Sequence, residues 1–146
     1  EIDLPLSALP AREKLLELST GKSPYEANRA KLLLKQIETE GDLKKSYPYP
    51  VQVWKVGDGP IWVTLGGEVV VDYSVRLKKE LGPGRTWVTG YANDVMAYIP
   101  SLRVLKEGGY EGGGAMVYYG LPAVWGPKVE ELIVEEVSKQ MKQVRK

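Results

Sequence analysis

The chain has 146 residues, 20 basic and 19 acidic side chains and a net charge of +1, which is one domain's worth of sequence without a broad electrostatic footprint for nucleic acid or anionic lipid. It contains no Cys and no His; disulfides, thiolate zinc sites, cysteine nucleophiles and a Ser-His-Asp or histidine-bound zinc centre built from these residues alone are therefore excluded. No initiator Met, signal peptide or membrane-length apolar run is present, and the opening Glu1-Ile2-Asp3 reads as a piece of a longer protein.

In chain order, the first forty or so residues predict two helices. Pro10 suits a first helical position, Leu15, Leu16 and Leu18 supply an apolar side, and Gly21 stops the run. Ser23-Pro24-Tyr25-Glu26 has the form of a capping box, followed at helical spacing by Ala27, Ala30, Leu33, Leu34 and Ile37, with Gly41 as the stop. Tyr47-Pro48-Tyr49-Pro50 reads as an extended joint. Val51, Val53 and Lys55 then alternate with Gln52, Trp54 and Val56, and Gly57-Asp58-Gly59-Pro60 turns the chain into a second strand, Ile61 to Leu65.

Gly66-Gly67 breaks that strand. From Glu68 onward Val70, Ser74, Leu77 and Leu81 fit one helix face, although the β-branched Val69-Val70-Val71 weaken the pattern. Gly82-Pro83-Gly84 closes the element, and Thr86 to Gly90 is a further strand, completing a strand–helix–strand crossover with a parallel pair. Residues 91–127 are rich in Gly, Tyr and Pro, with Ala115 to Tyr119 as one more candidate strand. A long amphipathic helix from near Pro127 carries Val129, Leu132, Ile133, Val137, Met141 and Val144 on its apolar stripe. Lys139, Lys142, Arg145 and Lys146 complement its C-terminus rather than mark a phosphate site.

The expected fold is α/β or α+β: a small, mostly parallel or mixed sheet with a βαβ crossover, covered by helices and closed by the long C-terminal helix. Residues 1–146 form a single domain in this reading, with 1–45 helical and 51–146 carrying the α/β part.

Ligands of α/β sheets collect at loops that follow the carboxyl ends of strands. Two such loops stand out, Leu65-Gly66-Gly67-Glu68 and Gly90-Tyr91-Ala92-Asn93-Asp94, and their Glu68, Asn93 and Asp94 are residue types that hold cations or orient water. Helix chemistry offers a plainer role for Glu68, an acid in a first turn. Tyr98 and Tyr110 likewise have a plain reading as packed aromatics. Gly112-Gly113-Gly114 lacks the lysine and strand–helix context of a phosphate loop. With balanced charge, the four Trp and nine Tyr read as core residues and walls of an aromatic cleft rather than base-stacking platforms.

Gly66-Gly67-Glu68-Val69-Val70, then Gly90-Tyr91-Ala92-Asn93 with Tyr98-Ile99, then Gly109-Tyr110-Glu111-Gly112 occur in the order found in neutral (alkaline, non-lysosomal) ceramidases. The resemblance covers roughly residues 51–127, with the spacing from Tyr98 to Tyr110 kept and the stretch between Glu68 and Tyr98 several residues shorter. It implies a catalytic zinc held by two histidines, a glutamate and a tyrosine. Glu68 would be the carboxylate ligand and Tyr98 the tyrosine ligand. Tyr110 would be the catalytic hydroxyl near the amide carbonyl, and Asn93 a residue that orients a ligand. The histidines would come from an upstream histidine-bearing part of the same protein, and the substrate would be an N-acyl lipid such as ceramide. The family is often secreted or surface-bound, which implies an extracytoplasmic setting. The chain departs from the family after Tyr98, where Ile99-Pro100-Ser101 stands in place of Ile/Leu-Thr-Thr. The alternative reading is a non-catalytic module that holds a lipid or glycan in its aromatic cleft without metal. A third is a structural subdomain that docks on the rest of the protein.

Overall fold

A computed structural model describes residues 1–144; Arg145 and Lys146, part of the basic end noted above, lie outside the described residues. The fold is α+β. It begins with a strand the sequence pattern does not announce, β1 (Ile2–Pro5), antiparallel to β2 (Ser46–Tyr49) with Leu4 opposite Tyr47. The expected helical stretch 1–45 is corrected to two helices preceded by a strand, whereas Tyr47 to Tyr49 is extended as expected, within β2. Four residues with one buried side chain are too few for a periodic signal, and Pro48 is tolerated because this is a two-stranded edge.

Helices α1 (Arg12–Ser19) and α2 (Pro24–Glu40) form a hairpin around Leu15, Ala30, Leu33 and Leu43. Ala11, not Pro10, flanks α1, so Pro10 stands just outside the helix. The capping signal of α2 holds: Ser23 accepts from the Glu26 backbone N–H at 3.5 Å, and Gly41 ends the helix with a left-handed φ of 88°. Arg29 ties this hairpin to the rest of the molecule by donating to the carbonyls of Leu121 and Pro122 at 2.7 and 2.6 Å.

The central sheet is β3 (Val51–Lys55), β4 (Ile61–Leu65) and β6 (Thr86–Thr89), in the order β3-β4-β6, with β3 antiparallel and β6 parallel to β4. Helix α3 (Val71–Leu81) makes the crossover from β4 to β6. One sheet face is core: Val51, Val53, Ile61 and Val63 pack with Leu77 and with Val129, Ile133, Val137 and Met141 of α6 (Val129–Val144). Gln140 of α6 also serves the edge strand, its Oε1 accepting from Val53 N–H and its Nε2 donating to Val51 C=O, both at 3.0 Å. Backbone groups that would otherwise invite another strand are thereby paired.

Two expectations about element type are corrected. The helix expected from Glu68 starts at Val71; Glu68–Val69 is instead a short strand, β5, parallel to β7 (Tyr98–Ile99). The branched valines favour extended backbone, and the acidic first-turn residue of α3 is Asp72. The strand expected at Ala115 to Tyr119 is a helical turn, α5 (Met116–Tyr119), which follows α4 (Leu102–Glu107) and a wide π-type turn at Tyr110–Gly114. A four- or five-residue apolar run suits a buried strand and a buried helical turn equally. Here the left-handed Gly120 cap and flanking glycines settle it.

Between β4 and β5 the chain reverses at Gly67, whose φ is 66°. A Cβ there would lie 2.7 Å from the Ala97 carbonyl oxygen and 2.7 Å from Ile99 Cγ1. Gly67→Ala is therefore expected to destabilise the fold by more than about 2 kcal/mol, since left-handed strain and a backbone clash add. Urea unfolding measures it, and Gly84→Ala in the turn before β6, with open space at its Cβ, serves as the tolerated control.

Candidate functional site

The Gly66-Gly67 corner brings distant segments together. Gly67 N–H donates to Asp94 C=O at 2.7 Å, Gly67 C=O accepts from Tyr91 N–H at 2.8 Å, and Glu68 N–H donates to Ala97 C=O at 2.9 Å. The corner thus fixes both candidate loops against each other. It also sets the register in which Glu68 lies directly opposite Tyr98, and in parallel strands such partners project from the same face. The Tyr98 backbone is anchored from behind, its C=O accepting from the indole N–H of buried Trp125 at 2.8 Å.

The third candidate comes from the π-type turn. Tyr110, half-exposed, sets its ring edge-on to Tyr98 with centroids 5.5 Å apart. The aromatic row continues to Tyr118, 6.0 Å from Tyr110, and to Tyr25 on α2, 4.9 Å from Tyr118. Beside its far end is a shallow depression of about 310 Å³, with Tyr25, Leu32, Val117 and Tyr118 among its walls. A second groove, of about 400 Å³, runs between α2, β2 and Gly120 to Pro122. It contains none of the candidate residues, and Lys35, Glu40 and Lys44 stand with Leu6, Leu32 and Leu121 among its walls.

The electrostatics single out Glu68. Hydrogen bonding to its carboxylate pushes the Tyr98 phenol from 10.0 up to about 12, with desolvation and the negative charge adding to the shift. The same causes in the same order raise Tyr91 to about 12. Tyr91 is a residue that sequence reasoning passed over. Its φ of 55° is left-handed, a strained conformation for an aromatic residue, and its position inside the Gly90-Tyr91-Ala92-Asn93 stretch was the available signal. Asn93 shares the left-handed conformation with φ 67°, but its amide donates to Gln52 Oε1 at 3.2 Å on the sheet side of the corner. The structure thus gathers Glu68, Tyr98 and Tyr110, adds Tyr91 and Tyr118, and turns Asn93 toward β3.

Among the described residues, no three His, Cys, Asp or Glu side chains cluster so as to hold a metal ion, and no helix is long and apolar enough to cross a membrane. No protein-family model, curated protein or solved structure matches the chain.

The rise of the Tyr91 and Tyr98 phenols beside the Glu68 carboxylate has a spectroscopic consequence. A phenol raised in the folded state keeps its stabilising bond below the ordinary value of 10.0 and loses it as pH rises through about 12. In Glu68→Gln two tyrosines are expected to ionise at lower pH, near the ordinary value, in a phenolate-absorbance titration. An unchanged titration curve would show that Glu68 holds neither phenol.

Proposed function

We propose that this chain carries one part of a ceramidase-like zinc amidohydrolase site acting on the N-acyl amide of a lipid. Glu68 and Tyr98 are the metal ligands it contributes, Tyr110 its catalytic hydroxyl, and two histidines of a histidine-bearing polypeptide complete the centre. The observation that carries this reading is convergence: residues separated by α3 and β6 meet as neighbours across β5 and β7, with Tyr110 5.5 Å ring to ring from Tyr98. The ceramidase resemblance implies the same three residues for one centre, Glu68 and Tyr98 on the metal and Tyr110 beside the amide carbonyl.

The donors fit zinc in kind, a carboxylate and a phenol oxygen on adjacent strands. They are too few alone, because a catalytic zinc takes three protein ligands. Zinc, when bound, brings its water close to neutral pKa and polarises the amide carbonyl. The remaining chemistry belongs to the chain. Glu68 is presented by a corner whose hydrogen bonds leave its backbone little freedom. Tyr110 donates its O–H to the amide oxygen as negative charge develops there, a role for which half-exposure beside the pair is suited. The row of Tyr110, Tyr118 and Tyr25 and the depression at its end give an acyl chain an amphipathic wall, apolar in body with polar tips. Asn93, bonded to Gln52, steadies the loop that carries Tyr91.

The test is hydrolysis of a fluorogenic N-acylsphingosine by this chain together with its histidine-bearing part, with and without a zinc chelator. Chelator-sensitive release is expected. Glu68→Gln is expected to lose zinc and activity with the fold intact, and Tyr110→Phe to lower turnover about a hundredfold while zinc is retained. Unchanged zinc in Glu68→Gln would remove Glu68 from the ligands. Stoichiometric zinc without release would discard the ceramide-like substrate, and neither zinc nor release would discard the enzyme.

A further inference from the structure

The solvent face of the central sheet carries three indoles in a line. Trp54, Trp62 and Trp87 are consecutive register partners across β3, β4 and β6, and are 53, 41 and 61 % exposed. Of the four tryptophans only Trp125 is buried, which runs against the expectation of a tryptophan core. Exposed aromatic surface on this scale is costly to leave in water and marks a place of contact.

What surrounds the rings narrows the contact. The next row on the same face is Gln52, Thr64 and Thr89, amide and hydroxyl groups with no charge among them. Gln52 Oε1 accepts from Thr64 Oγ1 and from Asn93 Nδ2, both at 3.2 Å, and among the described residues its own amide N–H groups have no acceptor. Trp62 is already seated: its indole N–H donates to Thr89 Oγ1 at 2.8 Å, so little side-chain freedom is left for a ligand to remove. Arg85, just before β6, is occupied by the carbonyls of Asp58 and Gly59 at 3.1 and 3.5 Å. Single-stranded nucleic acid also stacks on aromatic rows, but it needs a line of cations for its phosphates. A dry protein interface would leave the polar row unpaired.

We infer that this face binds a neutral polysaccharide, its sugar rings laid on Trp54, Trp62 and Trp87 and its hydroxyls bonded to the Gln52, Thr89 and Asn93 side chains. One face of a pyranose ring presents C–H bonds of slight positive charge, the complement of the negative face of an indole. Strands about 4.8 Å apart space the indoles at roughly the length of one sugar unit, so consecutive sugars meet consecutive rings. The site is separate from Glu68 and Tyr98 and does not depend on their reading.

Affinity electrophoresis of the chain through native gels containing hydroxyethylcellulose, xylan, galactomannan or glycogen tests it. At least one of these is expected to retard the protein, equally in low salt and in about 0.5 M salt, where exposed charge pairs are screened. Trp62→Ala is expected to weaken binding roughly tenfold or more. Thr89→Val, which frees the indole but keeps the shape, should weaken it several-fold, with far-UV circular dichroism confirming that both variants fold. No retardation by any of the four polysaccharides would overturn the inference. So would retardation that survives in a Trp54, Trp62 and Trp87 triple alanine variant, or a face consumed by Trp62-dependent dimerisation of the free chain.

Discussion

The hydrogen bonds converging on Gly66 and Gly67 govern the geometry of the candidate site. Gly66 C=O accepts from the buried Tyr49 hydroxyl at 2.8 Å, while Gly67 bonds Asp94 and Tyr91 through its two backbone groups. Burial pushes the Tyr49 phenol far up, so it remains a donor at any ordinary pH. Strand β2, the end of β4 and the loop after β6 are therefore joined at one short stretch of backbone that only glycine can supply. Everything proposed for Glu68 depends on this corner, because it turns the chain out of the sheet and lays β5 beside β7.

Away from the corner, a network of ion pairs ties three helices together. Arg76 bonds Glu80, Glu130 and Glu131, and Arg103 bonds Asp72 and Glu107. Glu130 also accepts from the Leu102 N–H at 2.7 Å, and Ser101 caps α4 while donating to Asp72. These contacts join α3, α4 and α6 around the buried Tyr73, whose hydroxyl donates to Pro100 C=O at 3.0 Å. The partly shielded members of this network position three helices, whereas its exposed pairs add little individually. Both candidate binding surfaces lie outside it, one lined by phenols and the other by indoles.

Elements with a strong period or a strong stop were legible. The capping of α2, the β3–β4 hairpin, the parallel β4–β6 pair and the apolar stripe of α6 follow from residue spacing, as does the α+β class. What was lost is short or non-periodic. Strand β1 buries a single leucine, β5 and β7 are two residues each, and the π-type turn is specified by glycines whose geometry no propensity reveals. The tryptophan face was within reach, since Trp54 and Trp62 stand at alternating positions of their strands. Treating large aromatics as core residues hid it. The valines after Glu68 were the clue to its strand, and they were outweighed by a helix that in fact starts three residues later.

The site itself was legible only as separate motifs; their meeting is a property of the fold. Carboxylate–phenol pairing occurs twice around the corner, and the two cases differ in kind. Asp94 accepts from Tyr47 at 2.8 Å, and burial first, then that bond, raises Tyr47 to about 12. That pair staples β2 to a loop and is accounted for by structure alone. The Glu68 carboxylate instead raises two phenols from different segments, Tyr91 and Tyr98, and for both the carboxylate rather than burial is the leading cause of the rise. One of those phenols, Tyr91, is reached through a strained backbone and is itself largely exposed. That left-handed backbone is held by the corner itself, through the Tyr91 N–H bond to Gly67 C=O at 2.8 Å and the Ala92 N–H bond to Leu65 C=O at 3.1 Å.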